Sequence, residues 1–361
     1  MDEIKAALIS LGSRSSQWTL EAMEKYFEEV DNINLKHIEI ALEKDKFQVL
    51  YEGKDLKDYD CIFAKGSFRY ESVLHAISSA KFGKCYMPNS PHSHSLAHDK
   101  LLTHMACIHA GIPMPATYLA ASGEEGRRIL EKVRYPVVMK MPRGTQGKGV
   151  MFADSYSAAI SLLDAMVALK QPIIIQEFID TDGRDIRAIV VGDKVVASMF
   201  RIAEEGEKRA NIHAGAKGEA CILDKKTQKV AVDTAKVVGA EICAVDLLES
   251  VRGPLMIEVN LSPGLQGITA ATGIDVADII AKHLYERTKQ WKSSSGTTAS
   301  NKILKEVDAE KKGAINDMIV NAEMRGERFL LPKLITKLSQ IAEEDEISIS
   351  ASKGRIELRK I

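Results

Sequence analysis

The sequence predicts a protein of mixed α/β and α+β class, built from more than one domain, on three observations. The chain has 361 residues, which exceeds the roughly 100–200 residues of one ordinary domain. Its first part, over 1–92, alternates short apolar runs with helical patterns, which is typical of a largely parallel sheet covered by helices. From about residue 172 the chain is rich in β-branched strand-like runs, with helices between the later ones.

The individual elements follow from apolar spacing and from glycine and proline positions. In the N-terminal part, apolar and alternating runs predict strands, whereas spacing of three to four residues predicts helices. The predicted elements, in order, are strand 4–11, helix 18–30, strands 35–41, 47–51 and 61–64, and helices 71–82, 95–110 and 124–133. Later come strand 136–141, helix 155–169, a hairpin turn at Gly192, and helices 226–238 and 275–288.

Composition excludes several classes of protein. The 49 Lys and Arg residues oppose 50 Asp and Glu residues, so the formal charge of −1 disfavours a dedicated nucleic-acid binder and adsorption to anionic membranes. No apolar run approaches the roughly 20 residues of a membrane-spanning helix, and the N-terminus does not have the pattern of a secretory signal. Five scattered cysteines without a C-x-x-C pair indicate a reduced, cytoplasmic protein.

A glycine-rich stretch carries the first chemical signal. A strand brings Lys140, and glycines follow at Gly144, Gly147 and Gly149. Glycines let backbone N–H groups approach phosphate oxygens, and a lysine can neutralise their charge. The spacing fits neither a Walker A loop nor a Rossmann fingerprint. Taken alone, the stretch is equally compatible with an ordinary surface turn.

A second signal lies at the end of the strand at 173–178. Gln176, Glu177 and Ile179 precede a polar turn, and consecutive backbone groups at a strand end can read the edge of a purine. An ordinary strand end would show the same residues, so this segment indicates nucleotide binding only together with the others.

Three oxygen-bearing residues in apolar strands form the third signal. Glu258 and Asn260 are two apart in a strand and so face the same way, and Asp246 lies in the preceding strand. Carboxylate and amide oxygens are the ligands that Mg²⁺ prefers when it also binds phosphates. Buried polar groups of this kind need partners, which favours a metal site over a solvated face.

A polar cluster follows the predicted hairpin, and a histidine-rich stretch precedes the glycine loop. Arg209 and Asn211 are of the types that stabilise charge on a transferring phosphoryl group, although a solvated loop has the same composition. Five of the nine histidines fall between residues 91 and 111, but their spacing does not match a zinc site. The cysteines are expected in the core rather than as nucleophiles.

The order of these residues, beginning with Lys100 in HDKLLTH, resembles the ATP-grasp superfamily and, within it, the RimK-like amino-acid ligases. The resemblance covers about 1–288 and is strongest over 139–150, 176–202 and 254–280. It implies an N-terminal pre-ATP-grasp α/β domain and a two-subdomain ATP-grasp fold. The implied boundaries are 1–92 for the first domain and 93–290 for the second, with a small lid at about 112–175. Beyond the resemblance, a short polar, glycine-containing stretch predicts a linker over 291–302, and the patterns after it predict a C-terminal α+β extension over 303–361.

The resemblance also implies a role for each signal. Lys100 and Lys140 would bind ATP phosphates under a flexible loop at 143–150, and Asp185 would reach the ribose. Gln176, Glu177 and Ile179 would read the adenine. Asp246, Glu258 and Asn260 would bind Mg²⁺ or Mn²⁺, with two ions expected. Arg209 and Asn211 would contact the γ-phosphate and the acyl-phosphate. The stretch 214–218 departs from the family's Arg-Gly-Gly, which bears on acceptor specificity.

The implied activity is ATP-dependent ligation of a carboxylate to an amine through an acyl-phosphate. The family typically adds glutamate to a protein tail or a coenzyme carboxylate, so the expected partners are a small-molecule or carrier-protein carboxylate and an amino acid. Cations that could hold carboxylates in the first domain are Arg14, Lys65 and Arg69. Two alternatives are a non-catalytic ATP-binding scaffold or regulator, and a peptide or D-alanyl-type ligase.

The C-terminal residues 303–361 lie outside the resemblance. Helical patterns at 302–325 and 332–343 precede two alternating runs, 347–351 and 355–361. A helix–helix–hairpin order suggests a winged nucleic-acid reader, but eleven basic and eleven acidic residues balance, which argues against one. We therefore expect a small accessory or homo-oligomerisation module.

Overall fold

The computed structural model divides the chain into two compact units, Met1–Gly296 and Thr297–Ile361. The residues that it describes are 3–44, 46–141, 149–203, 217–295, 323–325, 328–330, 347–352 and 355–360. In this part of the chain, no helix has both the length and the apolar run that crossing a bilayer requires.

The N-terminal elements form an α/β layer. In chain order they are β1 (Lys5–Ser10), α1 (Arg14–Met23), β2 (Glu29–Asn34), β3 (Ile38–Glu43), β4 (Lys46–Tyr51), β5 (Lys54–Asp55), β6 (Cys61–Ala64), α2 (Glu71–Lys81), α3 (Pro91–His98) and α4 (Lys100–His109). A parallel sheet has the order β2-β1-β6, which confirms the predicted parallel layer. A separate antiparallel sheet has the order β3-β4-β5, and its first two strands overlap the strands predicted over 35–41 and 47–51.

Two predicted helices of this layer were wrong in extent. The helix predicted over 18–30 ends at Met23, and the chain re-enters the sheet as β2. The single helix predicted over 95–110 is two helices separated by Asp99. Asp99 has an extended backbone, and its carboxylate accepts the N–H groups of Leu101 and Leu102 at 2.9 and 3.1 Å. An aspartate at this position caps a new helix, so the break is built into the sequence.

The next layer is a four-stranded antiparallel sheet with two helices, hereafter the lid sheet. Its elements are β7 (Thr117–Leu119), α5 (Gly123–Leu130), β8 (Val137–Lys140), β9 (Val150–Ala153), α6 (Tyr156–Ala168) and β10 (Ile174–Glu177). The strand order is β7-β10-β8-β9. Leu130 of α5 and Leu163 of α6 pack on Met139 and Ile175, which gives this layer a core of its own.

The largest layer is a five-stranded antiparallel sheet, hereafter the large sheet. Its elements are β11 (Arg184–Val191), β12 (Lys194–Ile202), β13 (Lys217–Ala220), α7 (Lys225–Val238), β14 (Ile242–Ser250), β15 (Gly253–Asn260), α8 (Gln266–Thr272) and α9 (Val276–Ser295). The order is β13-β12-β11-β14-β15. The predicted turn is present at Gly192, whose φ of +65° suits glycine in a hairpin.

The N-terminal layer and the large sheet share one hydrophobic core. Leu8 and Phe63 of the first sheet belong to the same buried cluster as Ala244 of the large sheet and Leu284 of α9. At its border, Glu241 accepts hydrogen bonds from Tyr86, His283 and Arg287. Although burial alone would raise the pKa of Glu241, these partners lower it to about 2.

The last helix extends into the range expected to be a linker. The side chain of Trp291 packs against the shared core, and Lys292 forms an ion pair with Asp60 at 2.9 Å. The hydroxyls of Ser293 and Ser294 donate to backbone carbonyls three residues earlier. These contacts keep 291–295 helical, although their serine-rich composition is typical of a linker.

The second unit contains short strands. They are β16 (Glu323–Arg325), β17 (Arg328–Leu330), β18 (Ile347–Ser352) and β19 (Arg355–Lys360). The antiparallel pairing of β18 with β19 confirms the predicted C-terminal hairpin. The helix predicted over 302–325 was wrong at its end, because 323–325 pairs with β17 instead. The helix predicted over 332–343 lies outside the described residues.

Candidate active site

Charged side chains from the lid sheet, from α4 and from the large sheet meet in one place. Lys140 ends β8, Lys100 begins α4, and Glu258 lies on β15. The Nζ atom of Lys100 is 3.8 Å from Oε1 of Glu258. Burial lowers the pKa of Lys140 to about 8. The carboxylates of Glu258 and Asp185 oppose this shift, whereas the positive charge of Lys100 adds to it. The structure therefore brings together four of the residues that the sequence analysis assigned to ATP and metal.

Lys140 has a partner on the neighbouring strand. Its Nζ donates to Oε1 of Gln176 at 2.7 Å. Gln176 lies opposite Val138 in the β8–β10 register, so it is the diagonal neighbour of Lys140 on the same face. The Gln176 side chain is 3% exposed. The side-chain amide of Gln176 thus faces the lysine.

Glu177 and Ile179 occupy the rest of the predicted adenine segment. The backbone N–H of Glu177 donates to the carbonyl of Ala116 at 2.8 Å, and its carboxylate accepts two hydrogen bonds from Arg252, each at 2.8 Å. Burial acts to raise the pKa of Glu177, but Arg252 and the N–H of Ala116 lower it overall. Ile179 follows β10 and is half-buried. Glu177 is therefore held as a structural ion pair at the strand end.

Asp246 lies in a cluster of buried arginines and carboxylates. It is 4% exposed, and Arg187 donates to its two oxygens at 2.9 and 2.8 Å. Arg201 donates to Asp246 at 2.8 Å and binds Asp185 through two further N–H groups. The register explains the cluster, because Arg187 lies opposite Asp246 and Asp185 lies opposite Arg201 in the large sheet.

The two carboxyls of this cluster differ in electrostatic environment. Burial would raise the pKa of Asp246, but its two arginines lower it to about 2. Burial raises the pKa of Asp185 to about 6, although Arg201 opposes that shift. Asp185, which the resemblance places near the ribose, is thus an ion-pair partner of Arg201 in this structure.

The three predicted metal ligands are neighbours across β14 and β15. Asp246 lies opposite Glu258, at a register shift in the strand pair. Glu258 is 41% exposed, and Oδ1 of Asn260 accepts the N–H of Ser262 at 2.8 Å. Among the residues that the structure describes, no three His, Cys, Asp or Glu side chains form a cation site on their own.

This donor set fits Mg²⁺ in a particular way. Mg²⁺ keeps several waters and takes one or two carboxylates together with substrate phosphates. Glu258 supplies an accessible carboxylate, and Asn260 an amide oxygen with a second lone pair. Asp246 accepts three hydrogen bonds from described residues, and these leave one lone pair on its Oδ1 atom for a metal ion.

Lys65 directly follows β6. It is 5% exposed, and burial lowers the pKa of its ammonium to about 8. No carboxylate in the described ranges forms an ion pair with it. The next residue, Gly66, donates its N–H to Oγ of Ser262 at 2.8 Å, which ties this strand end to the turn after Asn260. A buried cation without a counter-ion is a suitable site for an anionic ligand.

The other two predicted substrate contacts are exposed. Arg14 lies over the ring of Trp18 at 5.2 Å and begins a helix whose Ser15 contacts Leu265 of the turn after β15. Arg69 lies in a short 3-10 turn and is exposed. The structure thus places Arg14 and Lys65, through their neighbours Ser15 and Gly66, near the same turn after β15.

The glycine loop and the polar cluster are only partly described. Gly149 has a φ of +80°, and its carbonyl accepts the N–H of Met141, which closes the base of the loop. Gly144, Gly147, Arg209 and Asn211 lie outside the described residues.

Sequence reasoning missed two site residues. Arg187 binds Asp246, and His104 contacts Gln176 at 3.2 Å. Arg187 could have been found from the sequence, because it is a charged residue at an inward-facing position of an apolar strand. His104 has no comparable signal, because its helix pattern does not show which element it faces.

Comparison with known proteins identifies a family. Residues 97–284 match the model of the RimK-like ATP-grasp domain. A probable alpha-L-glutamate ligase of Marinomonas sp. is 37% identical over 287 residues, which cover 78% of this chain and 95% of that protein. A protein of the same name from Aliivibrio fischeri is 38% identical over 272 residues, covering 74% and 89%.

Solved structures share the fold. A RimK domain ATP-grasp protein from Sphaerobacter thermophilus has a TM-score of 0.61 at 21% identity, covering 77% of this chain and 98% of that one. The ATP-grasp ligase PsnB, solved with a minimal precursor, Mg and ADP, has a TM-score of 0.62 at 16% identity, covering 79% and 98%. The chain therefore belongs to the RimK-like ATP-grasp family, whose members are ATP-dependent ligases that form amide bonds.

Proposed function

We propose that the chain adds glutamate, or an amino acid of similar charge, to the carboxylate of a protein tail or small carrier molecule. The observation that carries this proposal is the meeting of Lys100, Lys140 and Glu258. Lys65, a buried cation that has no ion pair among the described residues, is the acceptor contact that we assign. The names of the relatives support glutamate as the added amino acid.

In this proposal, each layer supplies one part of the site. Lys100 and Lys140 bind the phosphates of ATP, and the backbone after β10 reads adenine. Glu258, Asn260 and Oδ1 of Asp246 would hold Mg²⁺ or Mn²⁺, with two ions expected. When bound, these ions offset the negative charge of the triphosphate. The arginines around Asp246 keep its carboxylate ionised and fixed.

The reaction follows from the weakness of a carboxylate as an electrophile. An acceptor carboxylate oxygen attacks the γ-phosphorus of ATP, the bond to the bridging oxygen breaks, and ADP leaves. The neutral amine of the incoming amino acid then attacks the acyl carbon. The carbon–oxygen bond to phosphate breaks, and the amine proton passes to the departing phosphate. Lys65 holds the acceptor carboxylate by charge, while Arg209 and Asn211 contact the transferred group.

Substrate-dependent release of ADP and phosphate tests this proposal. We expect release only when ATP, a divalent metal, a carboxylate acceptor and glutamate are all present, and a product heavier by one glutamyl residue. Lys140→Met serves as the inactive control. ATP binding without release for every pair tested would indicate a scaffold or regulator. Adducts of small amino acids would indicate a peptide or D-alanyl-type ligase. Either result would overturn glutamate ligation.

Two further assignments complete the proposal. We place the protein in the cytoplasm, because its five cysteines are all free thiols and four of them are buried. We assign 303–361 to an accessory or homo-oligomerisation role, since their balanced charge does not suit nucleic acid.

A further inference from the structure

A hydrogen-bond network lies behind Lys140, between the lid sheet and α4. Lys140 donates to Oε1 of Gln176 at 2.7 Å. Nε2 of Gln176 lies 2.8 Å from Oγ1 of Thr117 and 3.2 Å from Nε2 of His104. His104 is 7% exposed and Gln176 3% exposed, so solvent is largely kept from these groups.

The donors and acceptors of this network have one consistent assignment. An ammonium only donates, so the oxygen of Gln176 must face Lys140 and its two N–H groups must face Thr117 and His104. Thr117 can accept, because its own hydroxyl donates to the carbonyl of Pro115 at 2.9 Å. Nε2 of His104 must then carry a lone pair rather than a proton.

The other ring nitrogen supports the same tautomer. Nδ1 of His104 lies 2.6 Å from the backbone carbonyl of Lys100, which can only accept. The proton of the neutral ring is therefore on Nδ1. Burial lowers the pKa of His104, and the nearby charges of Lys140 and Lys100 act in the same direction. The hydrogen bond to the backbone carbonyl of Lys100 raises the pKa but does not outweigh these effects. Because the pKa is lowered overall, the ring is neutral at pH 7.

We infer that His104 is a positioning residue for Lys140. Its unprotonated Nε2 holds the Gln176 amide with the oxygen towards the lysine, and thereby fixes the ammonium for an ATP phosphate. Through Nδ1 the same ring is anchored to the backbone carbonyl of Lys100, at the start of α4. This inference rests on the proposed role of the two lysines in binding ATP.

Substitutions of His104 that replace either Nε2 or Nδ1, but not both, test the inference. In His104→Gln, the amide oxygen reaches the place of Nε2 and still accepts from Gln176. In His104→Asn, the shorter amide reaches only the place of Nδ1. One buried hydrogen bond changes an equilibrium constant by about threefold to tenfold. We expect His104→Asn and His104→Leu to weaken binding of a non-hydrolysable ATP analogue with Mg²⁺ by that factor, and His104→Gln to stay within about twofold of the wild type.

The matched control is on the same helix. His109 makes the same type of bond to the carbonyl four residues earlier, at 2.6 Å, but is exposed. We expect His109→Leu to leave analogue binding unchanged. Equal losses in His104→Gln and His104→Asn would overturn the inference, because the acceptor position would then not matter.

A double-mutant cycle separates positioning from general damage. In a Lys140→Met background we expect His104→Asn to have no further effect, since the lysine that it positions is absent. An equal loss in both backgrounds would overturn the inference while leaving the proposed function intact. If Lys140→Met itself bound the analogue as tightly as the wild type, the proposed role of the lysine would fail instead.

Discussion

Replacing Arg201 by methionine removes the cation that joins two buried carboxylates. Arg201 donates to both Asp185 and Asp246, and all three side chains are at most 11% exposed. Breaking a buried ion pair by removing one partner costs about 3–5 kcal/mol. Because Arg187 still pairs with Asp246, the loss falls mainly on Asp185. We therefore expect Arg201→Met to lower the free energy of unfolding by about 3 kcal/mol, the low end of that range.

Urea unfolding followed by tryptophan fluorescence measures this change. Both tryptophans, Trp18 and Trp291, pack against the shared core, so they report on the first unit. With a slope of about 3 kcal/mol per molar urea, the transition midpoint should fall by about 1 M. The matched control is Lys25→Met, because the ion pair of Lys25 with Asp278 is exposed and contributes little to stability.

The pH dependence gives the reasoning a second test. Arg201 opposes the burial that raises the pKa of Asp185 to about 6. Without Arg201, folded Asp185 takes up a proton at a higher pH, and the folded variant gains stability as protons bind. The deficit of Arg201→Met should therefore shrink as the pH falls from the alkaline side towards 6. A deficit no larger than that of Lys25→Met, or one that grows on acidification, would refute the assignment of a buried charge cluster.

Three further variants probe the site and the shared core. Glu258→Gln should abolish ADP release yet change the free energy of unfolding by only about 0.5 kcal/mol, since Glu258 is 41% exposed; wild-type turnover would contradict its metal role. Lys65→Met should raise the KM for the acceptor carboxylate more than about tenfold while the KM for ATP stays nearly constant, with Arg69→Met as the exposed control; equal effects of the two substitutions would count against Lys65. Glu241→Gln should lower the free energy of unfolding by about 1–3 kcal/mol at pH 7, measured by urea unfolding. The folded pKa of Glu241, about 2, lies below its unfolded value, so this loss should vanish as the pH falls from about 4.5 to 2, and a pH-independent loss would contradict it.

Residue spacing predicted those parts of the site that are local in sequence. The lysine before the glycine loop and the pair Glu258 and Asn260 are readable because a strand places alternate residues on one face. The break at Asp99 was also readable in principle, since aspartate is a preferred N-cap.

What depends on pairing between distant segments could not be predicted. Asp246 lies opposite Arg187 only because of the register in which β14 pairs with β11. The register shift opposite Glu258 cannot be recognised from the residue types of β14 and β15. His104 contacts Gln176 across 72 residues of chain. Such contacts follow from tertiary packing, which overrides local pattern.

The core shared by the N-terminal layer and the large sheet limits how this enzyme can be recombined. Because the proposed acceptor contacts lie in residues 1–92, an obvious way to change the acceptor is to replace this segment with that of a relative. The exchanged segment would have to match α9, whose Leu284 and Trp291 pack into the same cluster as Leu8 and Phe63. A chimera that changes only the first layer would leave mismatched apolar surfaces at the junction, whereas one that transfers α9 as well would keep the original packing partners together. Crossover points in such chimeras should therefore keep residues of the shared core together. Residues 1–92 and α9 should be taken from the same parent.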